Sequence, residues 1–220
     1  MESPLRKPVA PDFHLIETFR IEPETGPHDL SRHLRRMERS ARAFQIPFDR
    51  RGTEAEVQKI NAPEALRARL TLDAKGQIQI TTTPLGATPS RWTVQIAQER
   101  LQSDDVWLQH KTTCRALYDQ ARASLPQGVD ELLFLNERDE VCEGTITNLF
   151  VKLHNGPAVT PPLRSGCLPG VLRQRLLDTK RVVERVVTLQ DLRHAQWITV
   201  GNSLRGEISV DYKGPRGPLI

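Results

Sequence analysis

The chain has 220 residues, a formal charge of +4, 38% apolar and 26% charged residues, which suits one large or two small domains with a real core and excludes general disorder. Its longest apolar runs, ELLFL and TNLFV, fall far below the roughly 20 residues a bilayer span needs, and the opening MESPLRKPVAP lacks the apolar stretch of a secretion signal, so a cytoplasmic protein is expected. Arg32, Arg35, Arg36 and Arg39 lie close together, but acidic residues interleave the other basic ones and only 5% are aromatic, which points away from nucleic acid and towards a small anionic substrate.

FHLIETFRI, residues 13–21, alternates as a half-buried strand, and PETGPHD supplies a turn. Asp29 is placed to cap a helix whose Leu30, Leu34, Met37, Ala41 and Phe44 form one apolar stripe. Thr53 and Glu56 have capping-box spacing for a shorter helix ending near Pro63. RARLTL, DAKG and QIQITTT read as a hairpin, and RWTVQIA as a further strand, so a first domain is expected over 1–99. A polar connector, 100–105, leads to a second domain over 106–220. There ALYDQARASL reads as helix, and ELLFLN, EVCEG and TNLFVKL as strands. TPPLRSGCLPG is too rich in proline and glycine for regular structure. It feeds the helix GVLRQRLLDTK, after which VVERVV, a helical DLRHA and WITV complete an α/β pattern ending in GNSLRGEISV.

No HExxH, Cys/His cluster, GxSxG or GxGxxG occurs, which gives a metal site no support. Cys114, Cys142 and Cys167 have no CxxC pairing and read as free thiols. Four features remain. Lys111, in HKTT, can act as base or nucleophile only if desolvated or turned into an imine; otherwise it is an exposed charge. Glu143, in VCEGTITNLFV, sits between apolar strands where it can face a cleft and keep a pyridine nitrogen protonated, or else face water at a turn. GCLPGVLR leaves the amides of Gly170, Val171 and Leu172 at a helix start, a seat for phosphate. GNSLRGE offers the Asn202 amide, the Ser203 hydroxyl and the Arg205 guanidinium after a strand, or a surface turn.

Taken in order, K, EGTITNLF, LPGVLR and NSLRG resemble the fold-type IV pyridoxal-phosphate enzymes, the class IV aminotransferase family, from about Phe13 to the C-terminus. HKTT with RALYD, NERDEVCEGTITNLF, TPPL and NSLRG are most similar to its 4-amino-4-deoxychorismate lyase members. The resemblance implies an α/β (α+β type) fold with a small N-terminal and a larger C-terminal α/β domain and pyridoxal 5'-phosphate between them. It implies that Lys111 forms the imine and moves the proton, and that Glu143 pairs with the ring nitrogen. Arg36, Ser203 and the amides of Val171 and Leu172 are implied as phosphate ligands. Asn148, Leu168 and Gly170 belong to the same cofactor site, Asn148 by ordering the turn after Glu143. Charge-assisted hydrogen bonds contribute about 1.5 to 3 kcal/mol and a helix dipole about 0.3 to 1, so Arg36 should outweigh the helix, with Arg35 as its solvated foil.

Thr18, Asn202 and Arg205 are implied as substrate contacts, Arg205 either by binding a carboxylate or by bracing its loop. Leu172 replaces a threonine, and Ala116 a tyrosine, found in many aminotransferases, which favours the lyase. The implied reaction converts 4-amino-4-deoxychorismate to 4-aminobenzoate and pyruvate, in folate biosynthesis. A branched-chain or D-amino-acid aminotransferase is the alternative, and a basic binding protein that kept the scaffold without catalysis is a third. A homodimer follows by analogy, and association with aminodeoxychorismate synthase stays open.

Overall fold

The computed structural model describes residues 13–214, which fall into two units: 13–87 with 110–114, and 88–109 with 115–214. In the first unit β1 (Leu15–Glu22), β2 (Gly26–Pro27), β3 (Leu66–Leu72) and β4 (Ile78–Pro84) make an antiparallel sheet in the order β2-β1-β3-β4. Helix α1 (Leu30–Ala43) packs on one face of this sheet, with Leu34 and Met37 buried and the His33 ring 5.3 Å from that of Phe19, while α2 (Arg50–Gln58) follows it. Asp29 does occupy the position before α1, but with a left-handed backbone (φ 53°) and no side-chain cap hydrogen bond. For α2 the cap is Asp49, whose Oδ1 accepts from Gly52 N at 3.0 Å. Thr53, expected to start this helix, lies inside it and donates its hydroxyl to Asp49 O at 2.7 Å. Asp49 comes before two arginines and a glycine, and this polar first turn carries no apolar residue to mark the helix start.

The second unit is built on one eight-stranded sheet, ordered β10-β9-β8-β11-β12-β5-β6-β7, in which β7 also pairs with β8. Its strands are β5 (Arg91–Leu101), β6 (Glu131–Asn136), β7 (Val141–Gly144), β8 (Asn148–Lys152), β9 (Ala158–Thr160), β10 (Val182–Glu184), β11 (Trp197–Asn202) and β12 (Gly206–Tyr212). The extra pairing closes β8-β11-β12-β5-β6-β7 into a ring, and its closing rung is Glu143 opposite Asn148. Around the ring lie α3 (Ala116–Ala123), α4 (Val171–Asp178) and α5 (Leu189–Arg193), the last with a full capping box between Thr188 and Asp191.

Every residue of β6 is buried because both of its faces meet apolar layers. Leu133 and Leu135 join Val94, Leu149 and Val200 on one side, and Leu132 and Phe134 join Leu101, Ala121 and Cys142 on the other. The domain boundary expected near residue 99 lies instead at 87/88. Strand β5 pairs in parallel with β6 and with β12, partners distant in sequence, and so belongs wholly to the second unit. The connector expected at 100–105 is likewise part of that unit, and 110–114 returns to the first. Among the described residues no helix is long and apolar enough to cross a membrane.

Candidate active site

In the first unit the Lys111 segment forms an extra rung on the edge of β1 away from β3. Ile16 N donates to Lys111 O at 2.8 Å and Thr113 N to His14 O at 2.9 Å, on either side of an antiparallel bridge between Leu15 and Thr112. His110 fastens the segment to α1, its Nδ1 lying 2.9 Å from Ser40 Oγ and its ring edge-on to Phe44. Residues opposite each other across a bridge share a face and neighbours alternate. Thr112 therefore joins Leu15, Glu17 and Phe19 on the side covered by α1, and it is buried. Lys111, half-buried, joins Ile16, Thr18 and Arg20 on the opposite face. Strand register adds Arg67, Arg69 and Thr71 from β3, then Gln79, Thr81 and Thr83 from β4, to that face. The lysine thus shares a sheet face with three arginines, of which Arg20 is ion-paired with Glu22 on the same face, and with a set of hydroxyls; of these residues only Thr18 was expected from sequence.

Behind this face Arg36 extends from α1 into a buried ion pair. Its Nε donates to Glu17 Oε1 at 2.8 Å and its Nη2 to Oε2 at 2.6 Å, while His33 Nδ1 lies 2.5 Å from Oε2. Glu17 is 1% exposed and His33 0%. Burial by itself would push the Glu17 carboxyl up, but the adjacent Arg36 charge and the two hydrogen-bond donors outweigh it and hold Glu17 down at about 2. Burial lowers His33, so we assign it as a neutral imidazole donating its Nδ1 proton to the carboxylate. Arg35, the expected foil, is exposed.

In the second unit Glu143 stands in β7, 6% exposed, within the closing rung of the ring. Its Oε1 accepts from the Tyr118 hydroxyl at 2.8 Å. Its Oε2 accepts from Leu168 N at 2.9 Å and from Asn148 Nδ2 at 3.3 Å, and the same amide donates to Leu168 O at 3.0 Å. Asn148 therefore ties Glu143 to the segment before α4. Gly170 completes the junction: a Cβ there would lie 1.8 Å from Asn148 Oδ1. The turn from Gly144 to Thr147 is held by Glu131, 0% exposed, which accepts from Thr145 N at 3.0 Å, Thr145 Oγ1 at 2.5 Å and Thr147 Oγ1 at 3.0 Å.

Gly170 precedes α4 with no side-chain cap, so the helix opens with the amides of Val171 and Leu172. The Leu172 side chain is buried among Phe150, Ala158, Leu176 and Val182, which leaves its backbone as the polar part on offer. Ser203 is buried in the β11–β12 turn. That turn is organised by Asn202, whose Oδ1 accepts from Leu204 N at 3.1 Å and Arg205 N at 3.0 Å and whose Nδ2 donates to Ile146 O at 3.1 Å. The Arg205 guanidinium lies over the Trp92 ring, 5.9 Å from its centroid. Glu143, Asn148, Leu168 and Gly170 thus converge in the second unit, joined by Asn202 to the turn that carries Ser203 and Arg205. Lys111, Arg36 and Thr18 belong to the first.

Glu17, Tyr118, Glu131 and the arginines of β3 were missed from sequence. Glu17 carried a usable signal, a carboxylate on the strand phase that otherwise holds Leu15, Phe19 and Ile21. Tyr118 and Glu131 carried none, since their partners lie 25 and 14 to 16 residues away.

A profile of the amino-transferase class IV family matches residues 14–211. An aminodeoxychorismate lyase of Saccharomyces cerevisiae is 31% identical over 131 residues, 51% of this chain and 33% of that protein, so the match spans about a third of the yeast enzyme. A Thermotoga maritima protein provisionally named a branched-chain amino-acid aminotransferase is 26% identical over 209 residues, 89% of this chain and 76% of that one. A Mesorhizobium loti structure provisionally named an amino-acid aminotransferase superposes with a TM-score of 0.86 at 39% identity, covering 91% of this chain and 100% of the other. The chain belongs to the class IV aminotransferase family, the fold-type IV pyridoxal-phosphate enzymes.

Proposed function

We propose that the chain is a 4-amino-4-deoxychorismate lyase that forms 4-aminobenzoate and pyruvate with pyridoxal phosphate as cofactor. The donor set fits that cofactor. Glu143 is a buried carboxylate suited to a protonated ring nitrogen, and Lys111 is an amine suited to an aldehyde. Groups suited to a phosphate dianion occur in each unit: Arg36 in the first, Ser203 and the amides opening α4 in the second. When bound, pyridoxal phosphate supplies an electrophilic aldehyde carbon and a protonated ring that withdraws electrons.

The observation that carries the reading is the company Lys111 keeps. Its sheet face bears Arg67 and Arg69, Arg20 in an ion pair with Glu22, and Thr18, Thr71, Thr81 and Thr83, and its one aliphatic residue on β1 is Ile16. A branched-chain side chain calls for an apolar lining. A substrate with two carboxylates calls for guanidinium groups, each able to take a carboxylate through two parallel hydrogen bonds. In the proposed reaction the arginines of this face hold the carboxylates while Lys111 removes the proton from the amine-bearing ring carbon. The bond from the ring to the enolpyruvyl oxygen breaks, a proton passes to the departing enol, and the enol becomes pyruvate. The remaining ring is aromatic, which makes the step one-way.

A second reading, an aminotransferase, is favoured by the 39% identity to the Mesorhizobium loti protein along its whole length. Two incubations separate them. With aminodeoxychorismate the pyridoxal-phosphate-loaded protein should release 4-aminobenzoate and pyruvate in equal amounts, and Lys111→Ala should slow this by about 10²- to 10⁴-fold, the range for a positioned proton carrier. Release of a 2-oxo acid from an amino-acid donor, with no 4-aminobenzoate from aminodeoxychorismate, would replace the lyase by the aminotransferase. We also infer a homodimer, by analogy with the family, which sedimentation would register as twice the mass of one chain.

A further inference from the structure

We propose that Tyr118 is a positioning residue whose hydroxyl holds the Glu143 carboxyl group in its anionic form and thereby keeps a proton on the ring nitrogen of the bound cofactor; this rests on the pyridoxal-phosphate reading above. Tyr118 lies on α3, seven residues after Lys111, within RALYD. Its hydroxyl donates to Glu143 Oε1 at 2.8 Å, on the carboxylate oxygen opposite the one served by Leu168 N and Asn148 Nδ2. The ring is fixed from two sides: it packs edge-on to Phe134 with centroids 5.1 Å apart, and the Arg115 guanidinium stands 5.5 Å from its centroid. The hydroxyl is therefore aimed by packing.

A carboxylate beside a basic ring nitrogen shares one proton with it. Two arrangements compete, carboxylate with protonated ring and neutral acid with neutral ring. A donor on the carboxylate oxygen stabilises the first and does little for the second, so Tyr118 shifts the proton towards the ring. A tyrosine can do this at any physiological pH only while it keeps its own proton. Burial foremost, with the nearby Glu143 charge, pushes Tyr118 well above its ordinary range, so it stays a donor. A hydrogen bond to a charged group shifts such an equilibrium by roughly ten- to a hundredfold.

The test uses the full chain loaded with pyridoxal phosphate carrying ¹⁵N in the ring, whose nitrogen chemical shift reports ring protonation directly and needs no turnover. Tyr118→Phe keeps the packing against Phe134 and Arg115 while removing the donor. Its ring-nitrogen titration midpoint should fall by about one to two pH units, the pH equivalent of that ten- to hundredfold shift. Glu143→Gln is the control and should remove the protonated ring altogether. If Glu143→Gln shifts the signal and Tyr118→Phe leaves it unmoved, the proposal fails and the cofactor reading stands. Should neither variant move it, Glu143 is not the ring's partner and the reading falls with the proposal. In case Tyr118→Phe folds poorly, 3-fluorotyrosine provides a second arm. The chain has 2 tyrosines, so in a Tyr212→Phe background the label reports Tyr118 alone. Its more acidic phenol is a stronger donor and should raise the midpoint; an unchanged or lowered midpoint overturns the proposal.

Discussion

Arg36 is worth most where its geometry is fixed, and Glu17 fixes it. A guanidinium gripped at both Nε and Nη2 by one buried carboxylate cannot swing, and His33 stops that carboxylate from rotating. Replacing Glu17 by Gln leaves the cation buried without its anion, a change that costs about 3 to 5 kcal/mol in pairs of this kind. Chemical denaturation should show that loss, and pyridoxal phosphate should dissociate more readily while pyridoxal, which lacks the phosphate, is held as before. A variant as stable as the parent would show that the pair contributes nothing. At this scale the sequence singled out candidates whose motifs are local: Lys111 in HKTT, Glu143 in EGTITNLF, and Gly170, Val171 and Leu172 in LPGVLR. It concealed those whose role depends on strand register. Arg20, Arg67 and Arg69 read as scattered surface charge until β1 and β3 are laid side by side, with Arg20 opposite Arg67 and Thr18 opposite Arg69.

At the scale of elements, the amphipathic stripe of α1 and the β3–β4 hairpin around DAKG were legible because both signals are short-range. The start of α2 was not. Thr53 and Glu56 matched the capping-box pattern, yet Asp49, four residues earlier, makes the bond to Gly52 N at 3.0 Å. Asp49→Ala should therefore cost about 0.5 to 2 kcal/mol by thermal or chemical unfolding, the usual range for a lost helix cap. An unchanged midpoint would mean that the first turn is satisfied by solvent. The assignment of β5 to the first domain failed for a different reason. Its alternation announces a strand, but parallel pairing with β6 and β12 is a non-local choice that no stretch of ten residues encodes. The same limit hides the ring closure, since only the register of β7 against β8 shows that Glu143 and Asn148 face each other.

Across the whole molecule, acid should act on both units through buried or hydrogen-bonded carboxylates. In the first, Glu17 is held at about 2 against an ordinary 4.5, burial being outweighed by Arg36 and His33. In the second, Glu140 is also held at about 2, chiefly by Arg138, with Ser165 and Asn136 adding hydrogen bonds. Both folded values lie below the unfolded one, so the unfolded chain takes up protons first as pH falls. The stability from these groups is complete above about pH 5 and drains away between there and about pH 2. For Glu17, fully enclosed, the difference corresponds to something on the order of 3 kcal/mol; Glu140 borders solvent and contributes less. Hydrogen exchange read peptide by peptide between pH 7 and pH 3 should thus show protection in both units holding steady and then declining below about pH 5. Glu17→Gln should flatten the decline in residues 13–87, and Glu140→Gln should flatten it in residues 115–214. A decline of unchanged slope in either variant would assign that unit's acid sensitivity to other carboxylates.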